Sequence, residues 1–278
     1  MQVIPFFEGG AGRAIWHQGH AFVEALDGGS YWPFAFVRNG TEVCGYGEVE
    51  HLFHPTRGMT ARVNTMFGDP AFAGLFLDTV EERARSQACR AMYVSSNPGM
   101  PELNQAAMAR GFDCVQEIVL RRFVVSQPSS LPWLSVGLIR PMTSRQYARH
   151  RNGLISMVSH GSYSASKSEV DEAMRRGAYR PIVLVENRRI VGYAECDLHH
   201  VRLSQARFMR LERIVIAPTH RGQGIGFSLV SSLVRDAHNL GCEYVELQAF
   251  EENTAAMRLY QRLGFFRTST MLFAKTLS

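Results

Sequence analysis

No two of the five cysteines are spaced as CxxC. Cys44, Cys89, Cys114, Cys196 and Cys242 are odd in number and far apart. That excludes a disulfide framework and a zinc–thiolate cluster, and it predicts a reducing, cytoplasmic setting. No apolar run reaches about 18 residues, so no helix is expected to span a membrane. The opening stretch MQVIPFFEGGAG lacks the basic start and long apolar core of a signal peptide. Basic residues do not cluster either. The net charge is +5, and Arg121-Arg122, Arg175-Arg176 and Arg188-Arg189 are isolated pairs, read as solvated surface. A nucleic-acid partner needs a clustered basic face, so none is expected.

What remains has the composition of a globular protein, 46% hydrophobic and 20% charged, with 278 residues to build one large or two ordinary domains. Two prolines and four serines in SQPSSLPWLS, residues 126–135, mark a linker. The halves on either side are alike. EVCGYGEVE (42–50) matches RIVGYAECD (189–197). A shift of 153 positions sets Cys89 on Cys242, Gly111-Phe112 on Gly264-Phe265, and Leu77, Val80 and Ala84 on Val230, Leu233 and Ala237. One ungapped shift that aligns a helix stripe, a strand start and a Gly-Phe turn implies a tandem repeat. The expected domains are therefore 1–125 and 136–278.

In the second half, YRPIVLVEN and RIVGYAECDLH read as strands joined by a polar turn at Asn187-Arg188, and RFMRLERIVIA as a third strand paired with the second. A glycine-dense turn follows. Phe227, Val230, Leu233, Val234 and Ala237 then mark a helix face. CEYVELQAF is a strand. Ala256, Leu259, Tyr260 and Leu263 mark a helix ended by Gly264, and RTSTMLFAKTL is a last strand. The fold class is α/β with a mixed sheet in each half, flanked by helices.

The glycine turn is built to meet a phosphate. A helix N-terminus offers unpaired N–H groups and a partial positive charge, and glycine lets the backbone approach. Gly222, Gly224 and Gly226 form GxGxG, with Phe at 227 where a dinucleotide fingerprint keeps glycine, and no lysine of a Walker loop follows. Arg221-Gly222-Gln223-Gly224-Ile225-Gly226 instead fits R/Q-x-x-G-x-G/A, the pyrophosphate loop of acyl-CoA-dependent transferases. Together with NTAAMRLYQRLGF (253–265), which fits N-x-x-A-x-x-x-Y-x-x-x-G-F, this half resembles the GCN5-related N-acetyltransferases, the GNAT superfamily.

The resemblance implies an acetyl-CoA-dependent N-acetyltransferase whose chemistry lies in the second half. Acetyl-CoA would lie where strands 211–217 and 244–249 splay. Ile214, Val215 and Ile216 would face its pantetheine arm, Arg221 to Gly226 its pyrophosphate, and Asn253 the region of the thioester. Tyr260 would be the general acid for the leaving thiolate. Glu212 is the candidate base; the other family position for a base falls on Gln248, which takes no proton, and Glu246 lies two residues earlier on the same face. Glu251 and Glu252 read as loop or helix-terminus charges. The acceptor segments would be 153–177, with His160 and Tyr163, and 265–271. A small-molecule amine is expected ahead of a protein lysine or N-terminus, on a monomer or homodimer. The competing readings are a non-catalytic acyl-CoA-binding or scaffold protein and a transferase of a longer acyl group.

The first half is expected to be silent. The 153-residue shift sets GDPAFA (68–73) on RGQGIG (221–226), Ala107 on Tyr260, Met100 on Asn253 and Met59 on Glu212. Asp69-Pro70 suits a helix cap, and its carboxylate would repel a pyrophosphate. Only thirty residues precede Tyr31, little room for a first strand and two helices, so this half is expected to be trimmed. The pairs His17/His20 and His51/His54 lack a completing ligand pattern, and no metal site is expected.

Overall fold

The computed structural model describes residues 2–5, 31–39, 42–54, 58–124, 138–157, 166–176, 179–201 and 206–277. They form β1 (Gln2–Pro5), β2 (Tyr31–Arg38), β3 (Glu42–His54), β4 (Gly58–Gly68), α1 (Ala73–Ser86), β5 (Ala91–Ser96), α2 (Pro101–Ala109), β6 (Asp113–Cys114) and β7 (Ile118–Phe123). There follow β8 (Leu138–Pro141), α3 (Ser144–Met157), α4 (Lys167–Arg175), β9 (Tyr179–Glu186), β10 (Arg189–Val201) and β11 (Ala206–Ile216). The chain continues through α5 (Ile225–Asn239), β12 (Tyr244–Ala249), α6 (Thr254–Arg262), β13 (Phe266–Arg267) and β14 (Met271–Thr276). Two seven-stranded mixed sheets result, flanked by helices, as the α/β reading expects.

The compact units are not two contiguous stretches. One comprises Met1–Gln116 with Ser269–Ser278, the other Glu117–Thr268. β14 lies between β5 and β6 in the first sheet, and β7 lies between β12 and β13 in the second. The boundaries 1–125 and 136–278 are thus corrected, and RTSTMLFAKTL completes the first sheet instead of the second. β7 and β14 stand 153 residues apart and occupy the same place in the repeat, so a hydrophobic pattern fits either sheet equally. The expected linker, 126–135, lies outside the described residues. The first unit is also less trimmed than expected: β1 pairs with β2 as β8 pairs with β9.

The repeat has a physical basis in helix endings. After α6, Gly264 adopts φ +80, its N–H bonds to Gln261 O, and the Phe265 N–H bonds back to Tyr260 O. After α2, Gly111 (φ +74) and Phe112 make the same bonds to Met108 and Ala107. This is a Schellman ending, in which the residue after the left-handed one also packs back on the helix. The cysteines serve likewise: the N–H groups of Cys89 and Cys242 bond to Ala84 O and Ala237 O. Asn187 and Arg188, both at positive φ, form the two-residue turn between β9 and β10.

A β-bulge sets the geometry of the second sheet. Glu195 of β10 faces Arg213 of β11, while the next residue, Cys196, faces Leu211, so Glu212 is the extra residue. Before the bulge Met209 and Leu211 point to the core under α5, and after it Ile214 does. Glu212 and Arg213 consequently share the opposite, polar face with Arg210. A bulge also bends its strand. β11 pairs in parallel with β12 only from Phe208 to Leu211, and the strands part beyond it. The first sheet repeats the device with Asn64 as the extra residue, and β4 leaves β5 after Val63. The register therefore sets Asn64, and not Met59, at the place of Glu212.

Candidate active site

The opening between β11 and β12 is a cleft of about 860 Å³. Its walls are Arg213 to Ile216 of β11, the glycine turn with the start of α5, and the Asn253–Arg262 stretch of α6. Of the residues singled out in the sequence, Ile214, Val215, Ile216, Arg221, Gly222, Gly224, Ile225, Gly226, Asn253 and Tyr260 all line it. Gln223 and Glu212 are not among its lining residues. The Gln223 side chain instead bonds to Thr219 O at 3.1 Å, bracing the turn.

α5 begins without a side-chain cap. Gly224 is its N-cap at φ +79, and no side chain accepts from the first turn. Gly222 is also left-handed, at φ +76, with no neighbour within 4 Å of a would-be Cβ. The turn thus presents bare helix N–H groups and a positive dipole end to the cleft. Arg221 bonds through Nε to Ile216 O at 3.2 Å. Arg258 and Arg262 add positive charge to the walls, His220 lines them too, and the Arg262 guanidinium lies over the Phe227 ring. Sequence reasoning missed these three and the apolar liners Phe227, Phe250 and Leu259. Arg258 and Arg262 are four residues apart on α6, a spacing that could have flagged them.

Tyr260 is buried, and its ring packs on Phe265 at 5.8 Å. The Schellman ending of α6 therefore positions it. Burial pushes its phenol up to about 12, so it stays protonated at neutral pH and can donate. Asn253 caps α6, its Oδ1 accepting from Ala256 N at 3.3 Å.

Behind the cleft, the polar face of the second sheet carries a buried ionic array. Glu246 accepts from Arg121 at 2.9 Å and from Arg210 at 3.1 Å, and Arg213 lies 3.5 Å from Glu195. Tyr193 donates to Glu195 at 2.6 Å and meets the Tyr179 hydroxyl at 2.9 Å. Glu212 Oε1 is 4.0 Å from Arg210 Nε. Glu246 is therefore held in a double ion pair, while Glu212 is followed in β11 by Arg213, a residue of the cleft wall. Arg121 and Arg122, expected in solvent, are structural instead: Arg121 also lies over the Tyr244 ring, and Arg122 donates to Leu263 O. Strand β7 brings both inside the second sheet, which the sequence pattern did not disclose.

Of the acceptor segments, 153–157 belong to α3 and Phe266-Arg267 to β13, while His160 and Tyr163 lie outside the described residues. So do His17 and His20; His51 stacks on Trp32. The described residues do bring one mixed His–carboxylate group together, Asp197, His199 and Glu212, which the sequence reading missed because the three meet across two strands. All five cysteines are free, and no described helix is long and apolar enough to cross a membrane.

Comparison with known proteins agrees with this geometry. The acetyltransferase (GNAT) family model matches residues 148–265, inside the second unit. Spermine/spermidine N(1)-acetyltransferase of Bacillus subtilis is 30% identical over 104 residues, covering 36% of this chain and 68% of that protein. An uncharacterized N-acetyltransferase of Methanocaldococcus jannaschii, MJ1207, is 32% identical over 80 residues, 28% of this chain and 35% of its own length. The chain thus spans only about a third of that relative. A tandem GNAT protein from the clavulanic acid biosynthesis pathway superposes with a TM-score of 0.55 at 15% identity, covering 88% of this chain and 82% of that one. The chain belongs to the GNAT acetyltransferase family. The last superposition shows that its two-sheet layout has a counterpart among tandem GNAT structures.

Proposed function

We propose that the second unit is an acetyl-CoA-dependent N-acetyltransferase in which a primary amine attacks the thioester directly. One observation carries the reading: the uncapped N-terminus of α5, the cationic walls and the protonated Tyr260 share one cleft. Its dimensions and charge suit an extended, phosphate-bearing ligand. Acetyl-CoA supplies the activated acyl group. Arg221 to Gly226 would hold its pyrophosphate, Ile214 to Ile216 its pantetheine arm, and Asn253 the neighbourhood of the thioester. Glu212, directly or through a water, takes the proton that the amine must shed. Tyr260 delivers one to the departing sulfur, so each proton has a named acceptor and donor.

A small-molecule amine is the proposed acceptor. Relatives named as acting on spermine/spermidine and on aminoglycosides support it. The first unit is proposed to bind no acetyl-CoA and to serve a structural part, and the protein to work in the cytoplasm. Titration calorimetry with acetyl-CoA, followed by an amine panel read through free thiol, tests the proposal. One site per chain and thiol release with a polyamine or aminoglycoside are expected. Absence of binding would sink the reading, and binding without turnover on any amine would favour an acyl-CoA-binding scaffold.

A further inference from the structure

We propose that Asp197, His199 and Glu212 form a site for a divalent transition-metal ion of the zinc class. One ligand atom from each lies within 4.8 Å of the other two, and Asp197 and His199 are 6% and 4% exposed. Three ligands each about 2.0–2.2 Å from a common zinc lie about 3.3–3.8 Å from one another. Side-chain adjustments of about 1 Å, within the reach of rotamer changes, therefore close the site. One imidazole with two carboxylates is a borderline donor set, suited to zinc, cobalt or manganese ahead of calcium or magnesium.

The backbone builds this arrangement. Asp197 and His199, two residues apart on β10, share the polar face, and the β11 bulge adds Glu212 to it. The His199 ring is held by stacking on Phe208 at 4.7 Å, and Phe208 stacks on Tyr244 at 4.8 Å. Arg210 opposes a cation here, but Glu246 engages it at 3.1 Å. On this face the carboxylates Glu195, Asp197, Glu212 and Glu246 outnumber the guanidiniums of Arg121, Arg210 and Arg213. The first sheet is an internal control. Its register sets Glu50, Leu52 and Asn64 at the three places and keeps an arginine, Arg62, at the place of Arg210. The frame is shared, and the ligand set belongs to the second sheet.

The test uses the full chain, stripped with a chelator and titrated with Co²⁺ by visible absorption, then with Zn²⁺ in competition. One equivalent is expected. The Kd should weaken by at least about tenfold in His199→Asn and in Glu212→Gln, and hold in His238→Asn. No binding by the wild type, or binding unchanged in either site variant, overturns the site. Glu212→Gln keeps size and shape, so it carries the test should His199→Asn fail to fold by circular dichroism. An effect on catalysis rests further on Glu212 being the base. Zn²⁺ that binds, responds to both variants and leaves acetyl transfer unchanged supports the site and refutes that role.

Discussion

The two units part their parallel strands at the same bulge; among the described residues the second lines the opening with the cleft described above, and the first sets a cluster of aromatic rings beside it. In the first, Phe34, Phe36, Phe72 and Phe76 pack together, with Phe36 5.3 Å from both Phe72 and Phe76. The second has Ile182, Leu184, Ile225 and Leu229 at those places. Room for the rings comes from glycine: a Cβ on Gly47 would fall 2.5 Å from Phe76, while its counterpart, Ala194, shares a core cluster with the smaller Leu229. The connection after the strand differs too. Eight residues separate β11 from α5, and four separate β4 from α1. The glycine loop is therefore an insertion, and the alignment of GDPAFA with RGQGIG is corrected accordingly. In its place Asp69 accepts from Ala71 N at 3.0 Å and pairs with Arg38. α1 and α2 then close on each other, fastened by the two-pronged Arg110–Asp78 pair at 2.6 and 2.8 Å. Filling and shortening thus distinguish the opening of the first unit from that of the second, on sheets of shared register.

That contrast can be broken experimentally. The largest effect should come from Gly224→Asp, which gives α5 the capping carboxylate that the first unit has. Acetyl-CoA binding should weaken by about a hundredfold or more in calorimetry, since charge repulsion and a blocked helix end act together. Two sites in the wild type would refute the silent first unit. Tyr260→Phe comes next: binding kept, and kcat lowered by about 10²–10⁴ in a thiol-release assay, the usual worth of a general acid. Phe72→Ala should cost about 3–5 kcal/mol of stability by denaturant titration while leaving the acetyl-CoA Kd unchanged. Arg110→Ala, which releases a half-exposed pair, should cost about 1 kcal/mol or less and create no second site.

A pH experiment sharpens the picture further. Burial raises the phenols of Tyr31, Tyr46, Tyr179 and Tyr260. In the unfolded chain they ionise near pH 10, and in the folded chain later. Their contribution is whole below about pH 10 and is lost as pH climbs, through about 12 for Tyr260. Thermal midpoints should fall from pH 10 upward, with tyrosinate absorbance lagging behind that of the unfolded protein.

Much of the second unit was legible because its signals are local. The glycine turn, the helix stripe and the Gly-Phe ending each depend on neighbours within a few residues. The repeat was legible for the same reason, since Ala84-to-Cys89 and Ala237-to-Cys242 obey one helix-ending rule. What failed to show was set by pairing over distance. Nothing in IVLRRF says that Arg121 will meet Glu246, and nothing in CDLHH says that His199 will meet Glu212. The bulge was invisible as well, because one extra residue in a strand leaves composition and apolar count unchanged. Hence one shift of 153 described the helices well and misplaced Met59.

The placement of β14 bears on how the chain is made. Its partner β5 is about 180 residues earlier. At roughly 5–20 residues per second of synthesis, the first sheet waits about 10–35 s with one flank of β5 unpaired. The nascent chain thus displays AMYVSS, an apolar edge, throughout the synthesis of the second unit.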